Sequence, residues 1–211
     1  TSEYAQRPSS WSSDGKAVAL VEEHADLAYD MEVLGTGSGV EEHANLGYDI
    51  AVLDTHSGRV TPFLNSRSNE MFPEFSPDGR WLAYTSDESN RNEVYVVDYP
   101  GRSKKVPISV DGGDSPLWAR NGKQLFFLRE AEVRVVDVRI DGGFVASKPR
   151  LLFKYPDNMY TAPIRCYDLS HDGQRFLMVK MEQRKATPAT EMILVQNWFE
   201  ELKRLVPTGK K

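Results

Sequence analysis

A turn phrase that occurs four times along the chain constrains the fold more than any other feature of the sequence. Each copy ends in Asp-Gly or Asn-Gly, and a strand-like apolar run follows within three residues. Both dipeptides favour tight hairpin turns because their residues tolerate positive φ. The four copies are Pro8–Gly15, Pro73–Gly79, Pro116–Gly122 and the looser Cys166–Gly173. The runs that follow are Ala17–Leu20, Trp81–Tyr84, Leu125–Leu128 and Phe176–Val179.

The spacing of these copies is regular once a second repeat is taken into account. The final glycines lie at 15, 79, 122 and 173, so the spacings are 64, 43 and 51 residues. Residues 21–39 are repeated directly as 40–58, and 13 of the 19 aligned positions are identical. Removing one copy reduces the spacing of 64 to 45. The chain therefore consists of repeats of about 45 residues, one of which carries a tandem duplication.

A period of 40–45 residues with four short strands per repeat is typical of a β-propeller blade. We predict an all-β domain over 1–211: a propeller or partial propeller of four four-stranded blades. The blades are 6–65, 66–110, 111–155 and 156–206. The third strands are Ile50–Asp54, Val94–Asp98, Val133–Asp137 and Met192–Val195, and the outer strands are Val60–Phe63, Val106–Ser109 and Arg150–Phe153.

Two features lie outside this regular pattern. The duplication 21–39/40–58 has the length of one extra hairpin, which would pair Val18–His24 with Met31–Leu34 and Val40–His43 with Ile50–Leu53. Both copies keep Tyr, Asp, Val and Leu in register, so either copy is able to supply the third strand. At the end of the chain, Trp198–Val206 places its apolar residues on one face at helical spacing, which predicts a short C-terminal helix.

The segment Phe75–Tyr84, followed by Glu93–Asp98, resembles the WD-type repeats of TolB-like β-propellers, and the resemblance extends over roughly residues 6–200. The end of the chain, Asp172–Val179 with Ile193–Leu202, resembles the C-terminal end of bacterial propeller proteins, several of which are fused to kinase or protease domains. The resemblance implies a propeller fold and a bacterial, extracytoplasmic setting. It implies little about function, because this repeat serves receptors, scaffolds and peptidase gates.

Composition excludes several classes of protein. The net charge of −5 argues against a nucleic-acid-binding protein that neutralises phosphates. No apolar run approaches the roughly 20 residues of a membrane-spanning helix. The single cysteine, Cys166, excludes an intrachain disulfide and a multi-cysteine zinc site. We expect Cys166 to be a small buried apolar residue, since the sequence offers it no paired base.

Ser170, His171 and Asp172 are the residue types of a hydrolase triad, but adjacent residues on an extended segment point to opposite sides. We therefore interpret them as a turn and predict no catalytic residue. His24 and His43 each follow two glutamates, which suggests a divalent ion bridging the two copies. The favoured interpretation is a solvated hairpin end with no metal, and we predict no cofactor. The glutamates are Glu22, Glu23, Glu41 and Glu42.

Two sets of recurring residues have structural interpretations. Asp14, Asp78 and Asp172 precede glycine, and we expect each to cap its own turn rather than to bind a cation. An aromatic residue recurs at one position of each blade, where large rings fill the space between neighbouring sheets. These aromatic residues are Trp11, Phe75, Trp118 and, in the looser copy, Tyr167.

We expect a non-catalytic binding module that holds a protein or a small ligand at a loop face or in the channel. Ser86–Glu93 and Asp111–Asp114 are predicted to be long hairpin loops on such a face, and the basic end Lys203–Lys211 a solvated tail. The alternative is the propeller portion of a larger enzyme, such as a prolyl-oligopeptidase-like hydrolase or a receptor kinase. Four blades can close alone, pair with a second chain as a homodimer through their open edges, or belong to a longer propeller.

Overall fold

The computed structural model describes residues 4–25, 46–140, 143–155 and 165–179, all of which belong to one compact unit, Thr1–Met181. The described residues form fifteen strands and no helix. The helix predicted at Trp198–Val206, the third strand predicted at Met192–Val195 and the basic end of the chain lie outside them.

Three antiparallel sheets and the beginning of a fourth follow one another along the chain, as the repeats predict. Blade 1 contains β1 (Ala5–Trp11), β2 (Ala17–Ala25), β3 (Leu46–Asp54) and β4 (Val60–Leu64). Blade 2 contains β5 (Glu70–Phe75), β6 (Trp81–Ser86), β7 (Glu93–Asp98) and β8 (Lys105–Pro107). Blade 3 contains β9 (Asp114–Trp118), β10 (Gln124–Arg129), β11 (Glu132–Arg139), β12 (Val145–Ala146) and β13 (Arg150–Lys154). The described part of blade 4 contains β14 (Tyr167–Leu169) and β15 (Phe176–Met178).

The recurring turn joins the first two strands of every blade. The four turn glycines have φ between 68° and 71°, a conformation that costs a glycine little. In blade 2, the Ser76 hydroxyl donates to Asp78 Oδ1 over 2.6 Å, and the Arg80 and Trp81 amides bind Asp78 and Ser76. Asp14 and Asp172 make the same bonds in their own turns, which is the capping role expected from the sequence. These bonds hold the pKa of all three carboxyl groups below the ordinary value, although burial opposes the shift at Asp78.

The second copy of the duplication supplies the third strand of blade 1. β2 pairs with β1 along one edge and with β3 along the other, in an unbroken register from Ala17 with Asp54 to Ala25 with Leu46. β1 and β3 thus occupy both edges of β2, and Met31–Leu34, the strand expected to pair with Val18–His24, lies outside the described part of the chain. Residues 26–45, which include the other predicted hairpin strand Val40–His43, lie outside the described part of the chain.

Apolar side chains fill the spaces between successive blades. Leu82 and Phe75 of blade 2 pack against Ile50 of blade 1. Trp118 of blade 3 packs against blade 2, and Leu169 of blade 4 packs against blade 3. Each of these boundaries buries the last residue of a first strand against the preceding blade, so burial of this position is a property of the repeat.

Blade 1 differs from the other three blades at this position. Trp11 is 65% exposed, whereas its register counterparts Phe75, Trp118 and Leu169 are buried. The expectation that Trp11 lies in a core between blades is therefore wrong, and the counterpart in blade 4 is Leu169 rather than Tyr167. Tyr167 is nevertheless buried, two residues earlier on the same strand.

Candidate functional site

The first strands of neighbouring blades lie side by side and form one wall, which in a propeller fold faces the central channel. β1 contacts β5, and β5 contacts β9. Side-chain hydrogen bonds join these strands: Ser9 Oγ donates to the Pro73 carbonyl over 3.0 Å, and Trp118 Nε1 donates to the Glu74 carbonyl over 3.2 Å. The Tyr167 hydroxyl donates to the Ser115 carbonyl over 2.7 Å, which joins β14 to β9. Four separate blades therefore contribute to one wall.

An ion pair lies along this wall. Arg165 Nη1, just before β14, lies 2.6 Å from Glu74 Oε2 on β5 and also donates to the Pro116 carbonyl over 3.4 Å. Both side chains of the pair are mostly buried. The position of Glu74 follows from strand alternation, because Phe75 points into the boundary with blade 1 and its neighbour must point the other way.

Burial and pairing act in opposite directions on these two groups. Burial raises the pKa of Glu74, and the adjacent Arg165 offsets only part of that effect. Burial would lower the pKa of Arg165, but the Glu74 carboxylate outweighs it and raises the pKa above the ordinary value. Burial also raises the pKa of Tyr167 well above its ordinary value, so this phenol remains neutral. The charge in the channel thus comes from arginine and carboxylate groups.

Two cavities adjoin the ion pair. One has a volume of about 220 Å³ and is lined by Arg7, Ser9, Arg165 and Asp168. The other, of about 370 Å³, is lined by Glu74, Arg120, Arg165 and Asp168 among others. Arg165 and Asp168 line both cavities, so a ligand in either one meets the same guanidinium and carboxylate groups. Charged groups of both signs suit a polar ligand.

The residues considered as catalytic candidates form a turn. Ser170 Oγ donates to Asp172 over 2.5 Å and accepts from the Arg175 amide, as in the other copies of the turn. Its hydroxyl thus points to Asp172, two residues away, and not to His171. Cys166 is half-buried rather than buried, and its carbonyl accepts from the Val179 amide.

The first copy of the Glu-Glu-His sequence is held by residues of blade 1. Gln6 Nε2 donates to Glu22 over 2.7 Å, Arg7 pairs with Glu23, and His24 Nε2 lies 3.1 Å from Asp49 Oδ2. The structure does not describe Glu41, Glu42 or His43. Within the described residues, no three histidine, cysteine, aspartate or glutamate side chains converge as metal ligands.

The two predicted loops lie together on one face. Residues 87–92 connect β6 to β7 as expected, whereas the segment containing Asp111 connects β8 to β9 and so links two blades instead of forming a hairpin. Glu93 joins the two loops: its Oε1 accepts from Arg91 Nε over 2.8 Å and from the Gly112 amide over 2.9 Å. Ser109 Oγ donates to the other carboxylate oxygen.

The position of Glu93 could have been identified from the sequence, because an acidic residue occurs at the same place in three blades. An acidic residue directly precedes or begins the apolar part of the third strand at Asp49, Glu93 and Glu132. Each accepts hydrogen bonds or ion pairs from its own blade or from the link that follows. Glu74 and Arg165 had no such signal, because they are 91 residues apart and neither recurs.

Comparison with known proteins supports the fold. No family model and no curated protein matches the sequence. Among solved structures, putative TolB from Agrobacterium tumefaciens is 23% identical with a TM-score of 0.50, over 72% of this chain and 50% of that chain. Hydrazine synthase from Kuenenia stuttgartiensis is 15% identical with a TM-score of 0.50, over 86% and 60%. An oligogalacturonate lyase in complex with manganese is 11% identical with a TM-score of 0.57, over 86% and 49%.

These similarities show a TolB-like β-propeller fold. The chain spans 49–60% of the length of these three solved chains. They include a TolB protein and enzymes, so the fold alone does not separate binding from catalysis. In the described ranges, no helix is long and apolar enough to cross a membrane.

Proposed function

From the TolB-like β-propeller fold of this chain, we propose that it is a non-catalytic binding module whose ligand enters the central channel. The observation that supports this most is the Glu74–Arg165 ion pair beside two cavities. A buried ion pair contributes little net stability, because desolvation offsets the attraction between its charges. Its placement where two cavities meet is therefore better explained by recognition than by stability.

The chemistry of the cavities favours a polar ligand with a carboxylate group. A guanidinium has five N–H donors, and both hydrogen bonds that the structure gives Arg165 within the described residues leave from Nη1. We propose that its remaining donors bind a ligand in the smaller cavity, where Arg7 supplies a second guanidinium and Asp168 the only carboxylate among the lining residues. Arginine binds carboxylates through two parallel hydrogen bonds, so we infer an extended acidic peptide segment as the ligand.

The test uses three dye-labelled decapeptides of equal length with alternating Glu-Gly, Lys-Gly or Ser-Gly sequence. We expect saturable binding of the acidic peptide by fluorescence anisotropy, and a loss of at least tenfold in affinity in the double variant Glu74→Gln/Arg165→Gln. The double variant leaves no unpaired buried charge, which a single variant would. Arg150→Gln is the matched control, since Arg150 pairs with Asp137 on the outer part of blade 3. Equal affinity for all three peptides, or an unchanged double variant, would overturn the proposal.

We also propose an alternative function, because the chain covers only part of the solved structures that it resembles. The solved structures that it resembles are longer and include hydrazine synthase and an oligogalacturonate lyase. The alternative proposal is that this is the propeller portion of a longer enzyme. Sequencing the complete reading frame decides between the two: an adjoining catalytic domain supports the enzyme, and a reading frame limited to these blades supports the independent module.

Self-association is proposed as part of the binding function. Leu177 of blade 4 is 73% exposed, whereas its counterparts Ala19, Ala83 and Phe126 are buried by the next blade. At the other end, Trp11 is exposed, although its neighbours Val18 and Leu20 are buried. We propose that Leu177 of one copy packs against Trp11 of a second. Light scattering over a dilution series should give a dimer that Leu177→Glu dissociates and Leu152→Glu, on exposed β13, does not; a monomeric wild type contradicts it.

The fold also supports the extracytoplasmic setting that we propose for the chain. Fractionation of the source cells, with an antibody against the chain, should recover it outside the cytoplasm. Recovery with cytoplasmic marker enzymes would contradict this location.

A further inference from the structure

Two carboxyl groups meet at the boundary between blades 1 and 2. Asp49 on β3 and Glu70 at the start of β5 are 7% and 3% exposed. Adjacent residues of the link between β4 and β5 hold them: Asn65 Nδ2 donates to Asp49 Oδ2 over 2.7 Å, and Ser66 Oγ donates to Glu70 Oε1 over 2.5 Å. Each carboxyl group influences the ionisation of the other, so the two lie within interaction distance.

One oxygen of this pair has no hydrogen-bond partner. Among the described residues, Glu70 Oε2 is one of two buried side-chain polar atoms without one, the other being Trp81 Nε1. A buried, unpaired carboxylate oxygen is costly, because it has lost its contact with water. A proton on Oε2 removes this cost, since it turns the oxygen into a donor and the neighbouring Asp49 carboxylate is an acceptor.

We propose that Asp49 and Glu70 share one proton and thereby form a pH-sensitive latch between blades 1 and 2. The latch is assembled from both copies of the duplication. Asp49 belongs to the second copy, whereas His24, whose Nε2 lies 3.1 Å from Asp49, belongs to the first. Loss of the proton places two adjacent negative charges in a buried site, and their repulsion weakens the contact between β3 and β5.

Charged and titratable groups approach the pair from several elements. Glu22 adds to the negative field at Asp49, and His24 opposes it. Lys105 opposes the negative charge of Glu70, although its ammonium also pairs with Glu88. The groups that face the pair are Glu22 and His24 on β2, Tyr84 on β6, Lys105 on β8 and, through its bonds to Asn69, Asp87 after β6.

The raised pKa of Glu70 determines how stability changes with pH. Burial raises the pKa of Glu70 from 4.5 to about 7, and burial also raises the pKa of Asp49. The folded protein therefore holds more protons than the unfolded chain between about pH 4.5 and pH 7. The contribution to stability is present below this range and is lost as the pH rises through about 7. The unfolding equilibrium constant should increase about tenfold between pH 6 and pH 8.5 from this group alone.

The experiment measures urea unfolding of the full chain at pH 6 and pH 8.5, with site-specific titration of the glutamate carboxyl carbons by NMR. Glu70→Gln keeps the shape and cannot ionise, so it should remove the tenfold change. Glu88→Gln, in the exposed pair with Lys105, is the matched control and should retain the wild-type change.

The NMR titration uses the wild type, so it tests the proposal even if a variant does not fold. The resonance of Glu70 should titrate near pH 7 in the wild type. Titration near pH 4.5 would overturn the proposal, as would a Glu70→Gln variant with the same pH dependence as the wild type. Asp49→Asn removes the neighbouring negative charge and should reduce the tenfold change without abolishing it, because burial still raises the pKa of Glu70; an undiminished change in this variant would contradict the sharing of a proton with Asp49.

Discussion

Deleting residues 26–44 should leave the propeller folded and slightly more stable. The sequence Val21–Ala25 is identical to Val40–Ala44, so this deletion and the deletion of 21–39 give the same polypeptide. Every residue of β2 and β3 is retained, and only the connection between the two strands becomes shorter. The described register, in which His24 lies opposite Gly47, can therefore close with a three-residue hairpin loop of Ala25, Asn45 and Leu46.

The expected change in the free energy of unfolding has two parts: a lower entropy cost of closing the loop and the loss of one strand pair. Shortening a connection from 20 residues to three reduces the closure cost by about 1.7 kcal/mol, from (3/2)RT ln(20/3). Opening the Ala25–Leu46 pair costs about 1 kcal/mol for its hydrogen bonding. The net gain is about 0.7 kcal/mol, which corresponds to a rise in Tm of roughly 1–3 °C for a domain of this size.

The assay is calorimetric and urea unfolding of the wild type and the deletion, with light scattering on both. A control that replaces 26–44 with a Gly/Ser segment of equal length separates length from sequence and should match the wild type. A fall of more than about 2 kcal/mol would refute the reasoning, because it would show that the extra copy contributes contacts that β2 and β3 need. A change of mass would show instead that the duplication supplies an edge for assembly.

Three further predictions concern the boundaries, the turns and the channel. Phe127→Ala should lower the free energy of unfolding by about 3–5 kcal/mol in urea titrations, because Phe127 is fully buried, whereas Val110→Ala at an exposed position should change it by less than about 0.5 kcal/mol. Asp78→Asn should flatten the loss of stability in acid, since the lowered pKa of Asp78 gives stability that is present above its ordinary value and lost as pH falls; an unchanged acid profile contradicts this. Arg165→Gln alone should destabilise the protein by about 3–5 kcal/mol, because Glu74 is left buried without its partner, and adding Glu74→Gln should recover part of that loss; additive losses in a double-mutant cycle exclude the coupling.

Local signals predicted the strands of the first three blades to within a few residues, except for β12 (Val145–Ala146), which adds a fifth strand to blade 3 and was not predicted. Each Asp-Gly or Asn-Gly turn marks the end of a first strand and the start of a second strand, so β5 ends and β6 begins where the repeat predicts. The sequence did not decide which copy of the duplication forms β3, because both copies have the same alternation of apolar residues. The structure shows the choice: β2 pairs with β1 along one edge and with the second copy, β3, along the other.

The channel could not be predicted from local signals. Arg165 meets Glu74 only because the blades surround a common channel, and a contact over 91 residues has no periodic pattern. The exposure of Trp11 could not be predicted either, since its place in the repeat is the same as that of buried Trp118. Only the position of a blade within the array distinguishes the two tryptophans.

Some acidic residues recur from blade to blade, whereas others occur in a single blade. Asp49, Glu93 and Glu132 recur at one position and serve each blade by accepting from neighbouring donors. Glu74 does not recur, because the register places Leu117 at the same position of blade 3. Repeated positions are explained by packing within any blade, whereas a buried charge that occurs in one blade needs a cause specific to that blade. This difference supports the proposal that a ligand is recognised at Glu74 and Arg165 rather than at the acids that recur.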